Sequence, residues 1–114
     1  MVNNRTVGSK YEQLAGDFLL KNGIDILEYN YSCKRSEIDI VGNDKGTVIF
    51  VEVKYRSDDS YGLPEASVDK RKQGKIKSAA LMYLNSHDLY DKVPCRFDVI
   101  SILGSKITWI KDAF

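Results

Sequence analysis

Between Lys10 and Lys21 the apolar residues recur at helical spacing: Leu14, Ala15, Phe18 and Leu19, with Tyr11 just ahead. Positions i, i+3, i+4 and i+7 share one face of an α-helix, so the stretch predicts a helix with one buried face. Ser9 and Glu12 have the spacing of a capping box, and Asn22-Gly23 supplies the stop, with glycine at the left-handed position. The period then shortens to two. Ile24 to Tyr31, Arg35 to Gly42 and Thr47 to Tyr55 read as three strands. The turn Asn43-Asp44-Lys45-Gly46 joins the last two into an antiparallel hairpin. Arg56 to Pro64 is polar and reads as a loop. Helical spacing returns from about Asp69 to Ser86, with Ile76, Ala79, Ala80, Tyr83 and Leu84 as its stripe and Gln73 continuing it toward the start. Pro94 to Leu103 and Lys106 to Ile110 are two last strands on either side of Gly104-Ser105.

The predicted order is α-β-β-β-α-β-β, an α/β class with a mixed sheet and flanking helices. The helix between strands three and four is long enough to cross over, so those strands are expected to be parallel neighbours with a right-handed connection. At 114 residues, 1–114 is read as a single domain.

Strand period two also decides which side chains share a face. On strand three, Val48, Phe50, Glu52 and Lys54 point one way, and Thr47, Ile49, Val51, Val53 and Tyr55 the other. On strand two, Glu37, Asp39 and Val41 are expected opposite Ile38 and Ile40. If the Asp39 and Glu52 faces coincide, Glu37, Asp39, Glu52 and Lys54 form an acidic cluster with a lysine in reach, expected at the edge of the sheet.

Charge in a strand that is apolar on both faces is costly unless it is paired or holds a metal. Asp39, twelve intervening residues, then Glu52-x-Lys54 is an order suited to a divalent-metal site for phosphodiester hydrolysis. Such cleavage needs an activated water, stabilised charge on phosphorus and help for the leaving oxygen, and Mg²⁺ or Mn²⁺ held by carboxylates supplies all three. Asp39 and Glu52 are candidate ligands, the Val53 carbonyl a further oxygen, and Lys54 a point cation for the water or the developing charge. The plain alternative for Glu52 and Lys54 is an ion pair on a solvated edge. Glu12 is either a site acid or the capping partner of Ser9. Glu37 either faces the site or pairs with Lys34 or Arg35. Gln73 either reaches a phosphate or marks a helix–core boundary.

The net charge of +1 is uninformative, but its distribution is not. Lys70, Arg71, Lys72, Lys75 and Lys77 crowd the start of the second helix, and Lys34-Arg35 precedes the Glu37–Asp39 strand, with Arg56 after strand three. These are either solvated faces or surfaces tracking a nucleic-acid backbone, which would bind with strong salt dependence and little sequence preference. Cys33 and Cys95 lack metal-ligand spacing and read as free thiols. No apolar run approaches a membrane span, and Met1 to Arg5 is not followed by a secretory core, so no membrane partner and a cytoplasmic location are expected.

Ser36-Glu37-Ile38-Asp39-Ile40 and Phe50-Val51-Glu52-Val53-Lys54-Tyr55-Arg56 closely resemble the YraN-like family of bacterial proteins. The likeness extends to Glu12-Gln13-Leu14-Ala15 with Gly23, Asn30-Tyr31, Pro64, Val68, Lys70, Ala79, Tyr83, Leu84 and Arg96-Phe97-Asp98-Val99. Ser36 departs from it, standing where the family usually has glycine. The family is usually placed in the PD-(D/E)XK, restriction-endonuclease-like superfamily, so the resemblance implies a nuclease core of the Holliday-junction-resolvase type. It implies Asp39, Glu52 and Lys54 as motif residues and raises Glu12 from cap to site residue. The expected function is a Mg²⁺- or Mn²⁺-dependent endonuclease acting on DNA, with branched structures as candidate substrates. A non-catalytic nucleic-acid-binding module that keeps the fold is the alternative. A junction substrate would call for a homodimer.

Overall fold

Each change of hydrophobic period marks a change of element in the computed structural model, which describes residues 7–34, 36–56 and 68–114, with side chains from Lys10 onward in the first helix. The elements are α1 (Val7–Lys21), β1 (Asp25–Cys33), β2 (Ser36–Asp44), β3 (Thr47–Arg56), α2 (Lys70–Ser86), β4 (Cys95–Leu103) and β5 (Lys106–Ile110). Arg35 and the expected loop from residue 57 to Pro64 lie outside the described residues.

α1 reaches back to Val7, so Ser9 lies inside the helix and the expected capping box is not its start. Its end follows expectation: Gly23 has φ 85°, and the Asn22 side chain donates to the Phe18 carbonyl at 2.8 Å. α2 is capped by Asp69, whose carboxylate accepts from the Lys72 N–H at 2.9 Å. Such a cap contributes about 1 kcal/mol.

One five-stranded sheet has the order β1-β2-β3-β4-β5, with β3 central. β3 and β4 are parallel, as the crossover helix requires, and the other three pairings are antiparallel. Alternate residues of β3 enter two separate cores. Ile49 and Val51 join Ala15 and Leu19 of α1, with Ile24, Ile40, Ile100 and Ile102. Val48 and Phe50 join Ile76, Ala79, Ala80 and Tyr83 of α2, with Ile38, Val41 and Val99. The sheet is therefore a middle layer between two helices. Complete burial of Phe50 alone is worth roughly 1.5–3 kcal/mol. Among the described residues no helix is long and apolar enough to cross a membrane.

The alternation on β3 is as expected, but that on β2 is not. Ile38 and Val41 share the α2 core, whereas Ile40 lies in the α1 core. The partner strand breaks at the same rung: Tyr31 packs against the α2 core and Tyr29 against the α1 core. Between them Asn30 takes φ 54°, a left-handed conformation that asparagine tolerates better than most residues. This kink places Asp39, opposite Asn30, out of the simple two-face pattern.

Candidate active site

The ladder between β2 and β3 runs from Asp44↔Thr47 to Ile40↔Val51 and stops there. Beyond it, β2 continues beside β1 to Ser36, and β3 continues beside β4 to Arg56. The sheet thus forks between its second and central strands. The acidic cluster lies in that fork rather than at an outer edge of the sheet, because the two strands carrying it are both internal. Asp39 fills the gap: its Oδ2 accepts from the Val53 N–H at 2.8 Å, a donor the broken ladder leaves without a strand partner.

Asp39 and Glu52 therefore do not share one face of a flat hairpin. Asp39 lies between the strands, while Glu52 follows Phe50 onto the α2 side. Glu12 approaches from the first helix, one turn before Gly16. A Cβ on Gly16 would come within 2.8 Å of the Tyr29 ring, so the bare backbone there lets α1 lie close to the sheet. The three acids thus come from three elements, α1, β2 and β3. Burial, and behind it the Glu52 charge, push the Asp39 carboxyl up to about 8; the Val53 N–H opposes this and Glu12 adds to it. Glu12 Oε1 is buried and has no donor except a protonated Asp39, whose carboxyl hydrogen-bonds the Glu12 side chain. The two acids hold one proton between them, a place that a cation can take.

Two ammoniums answer Glu52, which is only 5% exposed. Lys54 Nζ stands 3.4 Å from Oε2, as the shared strand face predicts, and Lys72 Nζ reaches the same oxygen at 3.1 Å from α2. Burial pulls the Lys72 ammonium down, but Glu52, with Asp39 and Glu37 behind it, outweighs this and leaves it above the usual lysine range. Asp39, Glu52 and Glu12 do not form a ready cage: among the described residues no three acidic, histidine or cysteine side chains stand together at metal-holding distance.

The remaining candidates are distributed unequally. Glu37 is exposed and, with Lys34, Lys72 and Lys75, lines a cleft beside the fork. Ser36, the residue that departs from the resembled family, donates its hydroxyl to the Lys75 carbonyl at 3.0 Å and ties β2 to α2. Gln73 turns back, donating to the Val68 carbonyl at 2.9 Å, so its amide nitrogen serves the start of the helix. Arg71 lies with Lys72 and Lys75 around a second depression, and Lys70 is exposed on the first turn. Lys77 leaves the group: its Nζ lies 5.8 Å from the Phe97 ring centre and 5.9 Å from that of Phe114. Arg56 ends β3, and Val53 joins the site through its N–H.

The pairing of Lys72 with Glu52 was not legible as such, since only the tertiary fold brings α2 over β3. Asp98 was also missed as a structural charge. It is fully buried and satisfied by Arg96 through two bonds of 2.8 Å, by Trp109 Nε1 at 2.9 Å and by the Asp112 N–H at 2.9 Å. Arg96 also reaches Asp44 at 3.2 Å, which closes the network over the β2–β3 turn.

The described fold can be set beside known proteins. The profile of the uncharacterised protein family UPF0102 matches residues 11–102. The chain is 43% identical to a UPF0102 protein of Pseudomonas syringae pv. tomato, over 94% of this chain and 91% of that one. It is 41% identical to one of Lachnoclostridium phytofermentans, over 99% and 96%. A third, of Caldicellulosiruptor bescii, is 43% identical over 99% of this chain and all of its own length. The match spans Glu12, Asp39, Glu52, Lys54 and Lys72 together, and the chain belongs to the UPF0102 family.

Proposed function

We propose that the acidic fork is the active centre of a divalent-metal-dependent nuclease of the PD-(D/E)XK type, which hydrolyses DNA phosphodiester bonds with Mg²⁺ or Mn²⁺. The observation that carries this reading is the buried Asp39 carboxyl, kept from ionising by burial and Glu52, with Glu12 Oε1 buried beside it and no donor there but the Asp39 proton. Buried acids in excess of their partners call for a cation, and a hard divalent ion suits an all-oxygen donor set. Asp39 and Glu52 would hold it, with the Val53 carbonyl as a further oxygen and Glu12 and Glu37 in support. When bound, the ion acts as a Lewis acid and lowers the pKa of a coordinated water. Lys54, already 3.4 Å from Glu52, is placed to orient the attacking water or meet charge developing on phosphate. Asp39 must give up its proton to act as a ligand, and its bond from Val53 holds the carboxyl in place while it does so.

One observation favours a second reading. Glu52 is already neutralised by Lys54 and Lys72, an arrangement that a non-catalytic nucleic-acid-binding module would also keep. The deciding experiment is cleavage of labelled single-stranded, duplex, flapped and four-way-junction DNA with Mg²⁺ and with Mn²⁺, wild type beside Glu52→Ala and Glu52→Gln. Cutting that both variants abolish supports the nuclease and begins to name its substrate. Binding without cutting, unchanged in the variants, supports the module. Symmetric cutting of a junction would require two such centres and hence a homodimer.

A further inference from the structure

Beside the fork a cleft of about 440 Å³ lies between the β1–β2 turn and the first turns of α2. Ser32, Lys34, Ser36 and Glu37 form one wall, and Lys72 and Lys75 the other. Three ammoniums against one carboxylate, with the Ser32 hydroxyl beside them, suit a phosphodiester, whose oxygens accept from lysine and serine alike. The bond from Ser36 to the Lys75 carbonyl fixes the two walls to one another.

Lys72 belongs to both places. It lines the cleft, and its ammonium rests on Glu52 at 3.1 Å. Its side chain is 45% exposed, against 6% for that of Glu52. A lysine stem has four rotatable carbons and carries a point charge, so the ammonium can turn from Glu52 into the cleft while the backbone of α2 stays in place. Lys54 is placed differently: its side chain is 26% exposed, and it does not line the cleft. A divalent ion at Glu52 would bring two positive charges to an oxygen that already has two ammoniums, and the more exposed ammonium is the one to leave.

Resting on the nuclease reading, we propose that Lys72 is an exchangeable counter-ion: it neutralises Glu52 in the cation-free protein and passes to a DNA phosphodiester in the adjoining cleft when a divalent cation takes its place. Metal and nucleic acid then bind cooperatively, each releasing the lysine that the other needs moved. The cleft seats a phosphodiester flanking the one at the fork, and Lys34 and Lys75 hold it there whether or not metal is present.

The test measures binding of a labelled single-stranded DNA oligonucleotide by anisotropy over a range of KCl concentrations, in EDTA and at fixed Ca²⁺. Mn²⁺ binding to the free protein is measured separately. Each phosphate contact on a single strand steepens the log–log salt dependence by about 0.7. Ca²⁺ replaces part of the K⁺ on the strand and flattens the dependence for both proteins alike, so the comparison is between them: wild type is expected to match Lys72→Met in EDTA and to be steeper than it by about 0.7 in Ca²⁺. Without DNA, Lys72→Met is expected to bind Mn²⁺ several-fold more tightly than wild type, since the competing ammonium is gone. Lys77→Met, which removes a lysine directed at Phe97 and Phe114, should behave as wild type. A Lys72→Met slope equal to that of wild type in Ca²⁺, or Mn²⁺ binding no tighter than wild type, overturns the exchange. If Mn²⁺ binds and Glu52→Gln abolishes it while Lys72→Met is silent, only the exchange fails. If wild type binds no Mn²⁺ above the level of Glu52→Gln, the nuclease reading fails and the exchange with it.

Discussion

Replacing Asp39 by asparagine should make the protein more stable and leave it unable to hold a cation. The Asp39 carboxyl titrates at about 8 in the folded chain, against an ordinary value of 3.8, chiefly through burial and then through the charge of Glu52. The native state therefore keeps a proton that the unfolded chain has released between these two values. The stability tied to that proton is fully present below pH 3.8, falls as pH rises through the window, and is gone above about 8. At 1.36 kcal/mol per pKa unit, holding the proton at pH 7 costs roughly 4 kcal/mol relative to a carboxyl with its ordinary value. That is a ceiling, because Lys54 and Lys72 screen Glu52 and Asp39 is not fully buried; about 2 kcal/mol is the expected gain. Asparagine keeps an oxygen for the Val53 N–H and carries no charge to desolvate. For a domain of this size the gain corresponds to a rise in Tm of roughly 5–10 °C. Urea melts of wild type and Asp39→Asn from pH 5 to pH 9 measure it. The wild-type midpoint should fall with pH while the variant stays flatter, so that the gap widens toward pH 8. A variant that is less stable than wild type at pH 7, or a gap that shrinks as pH rises, would refute the reasoning.

Three other outcomes follow from the same arrangement of side chains. If Asp39 is protonated at pH 7, Mn²⁺ binding there should release about one proton, read by calorimetry in two buffers of different ionisation enthalpy, and the release should vanish in Asp39→Asn. Gly16→Ala would set a Cβ within 2.8 Å of the Tyr29 ring; a loss of roughly 1–3 kcal/mol in urea is expected, with weaker Mn²⁺ binding because Glu12 moves with α1. Asp98→Ala takes the acceptor from Trp109 Nε1 and the Asp112 N–H and leaves Arg96 with Asp44 alone, so a loss on the order of 3 kcal/mol should appear in chemical denaturation.

The parts of this molecule that were legible in its sequence are those where one local rule acts alone. β3 is covered on both faces and unbroken, so strict alternation placed Phe50, Glu52 and Lys54 on one side, and the fold agrees. β2 obeys a second constraint. Its ladder to β3 ends after Ile40, and Asn30 at φ 54° breaks the alternation on both β1 and β2. Period two therefore predicted the wrong direction for Asp39, although it identified the residue. Asn30 was the available signal, since asparagine inside an alternating strand is a place where the chain can turn left-handed. Ser9 and Glu12 illustrate the converse: their spacing satisfied a local rule for a cap, yet the helix begins earlier and Glu12 serves the fork instead. Lys72 had no local signal at all, because a lysine among lysines becomes a partner of Glu52 only when α2 is laid across β3. The same three departures make the candidate site. A straight β2 would pair its own backbone with Val53 and turn Asp39 to one face. It is the break at Asn30 that leaves the Val53 N–H for the Asp39 carboxyl and opens the sheet where Glu12 of α1 can approach Asp39 of β2 and Glu52 of β3.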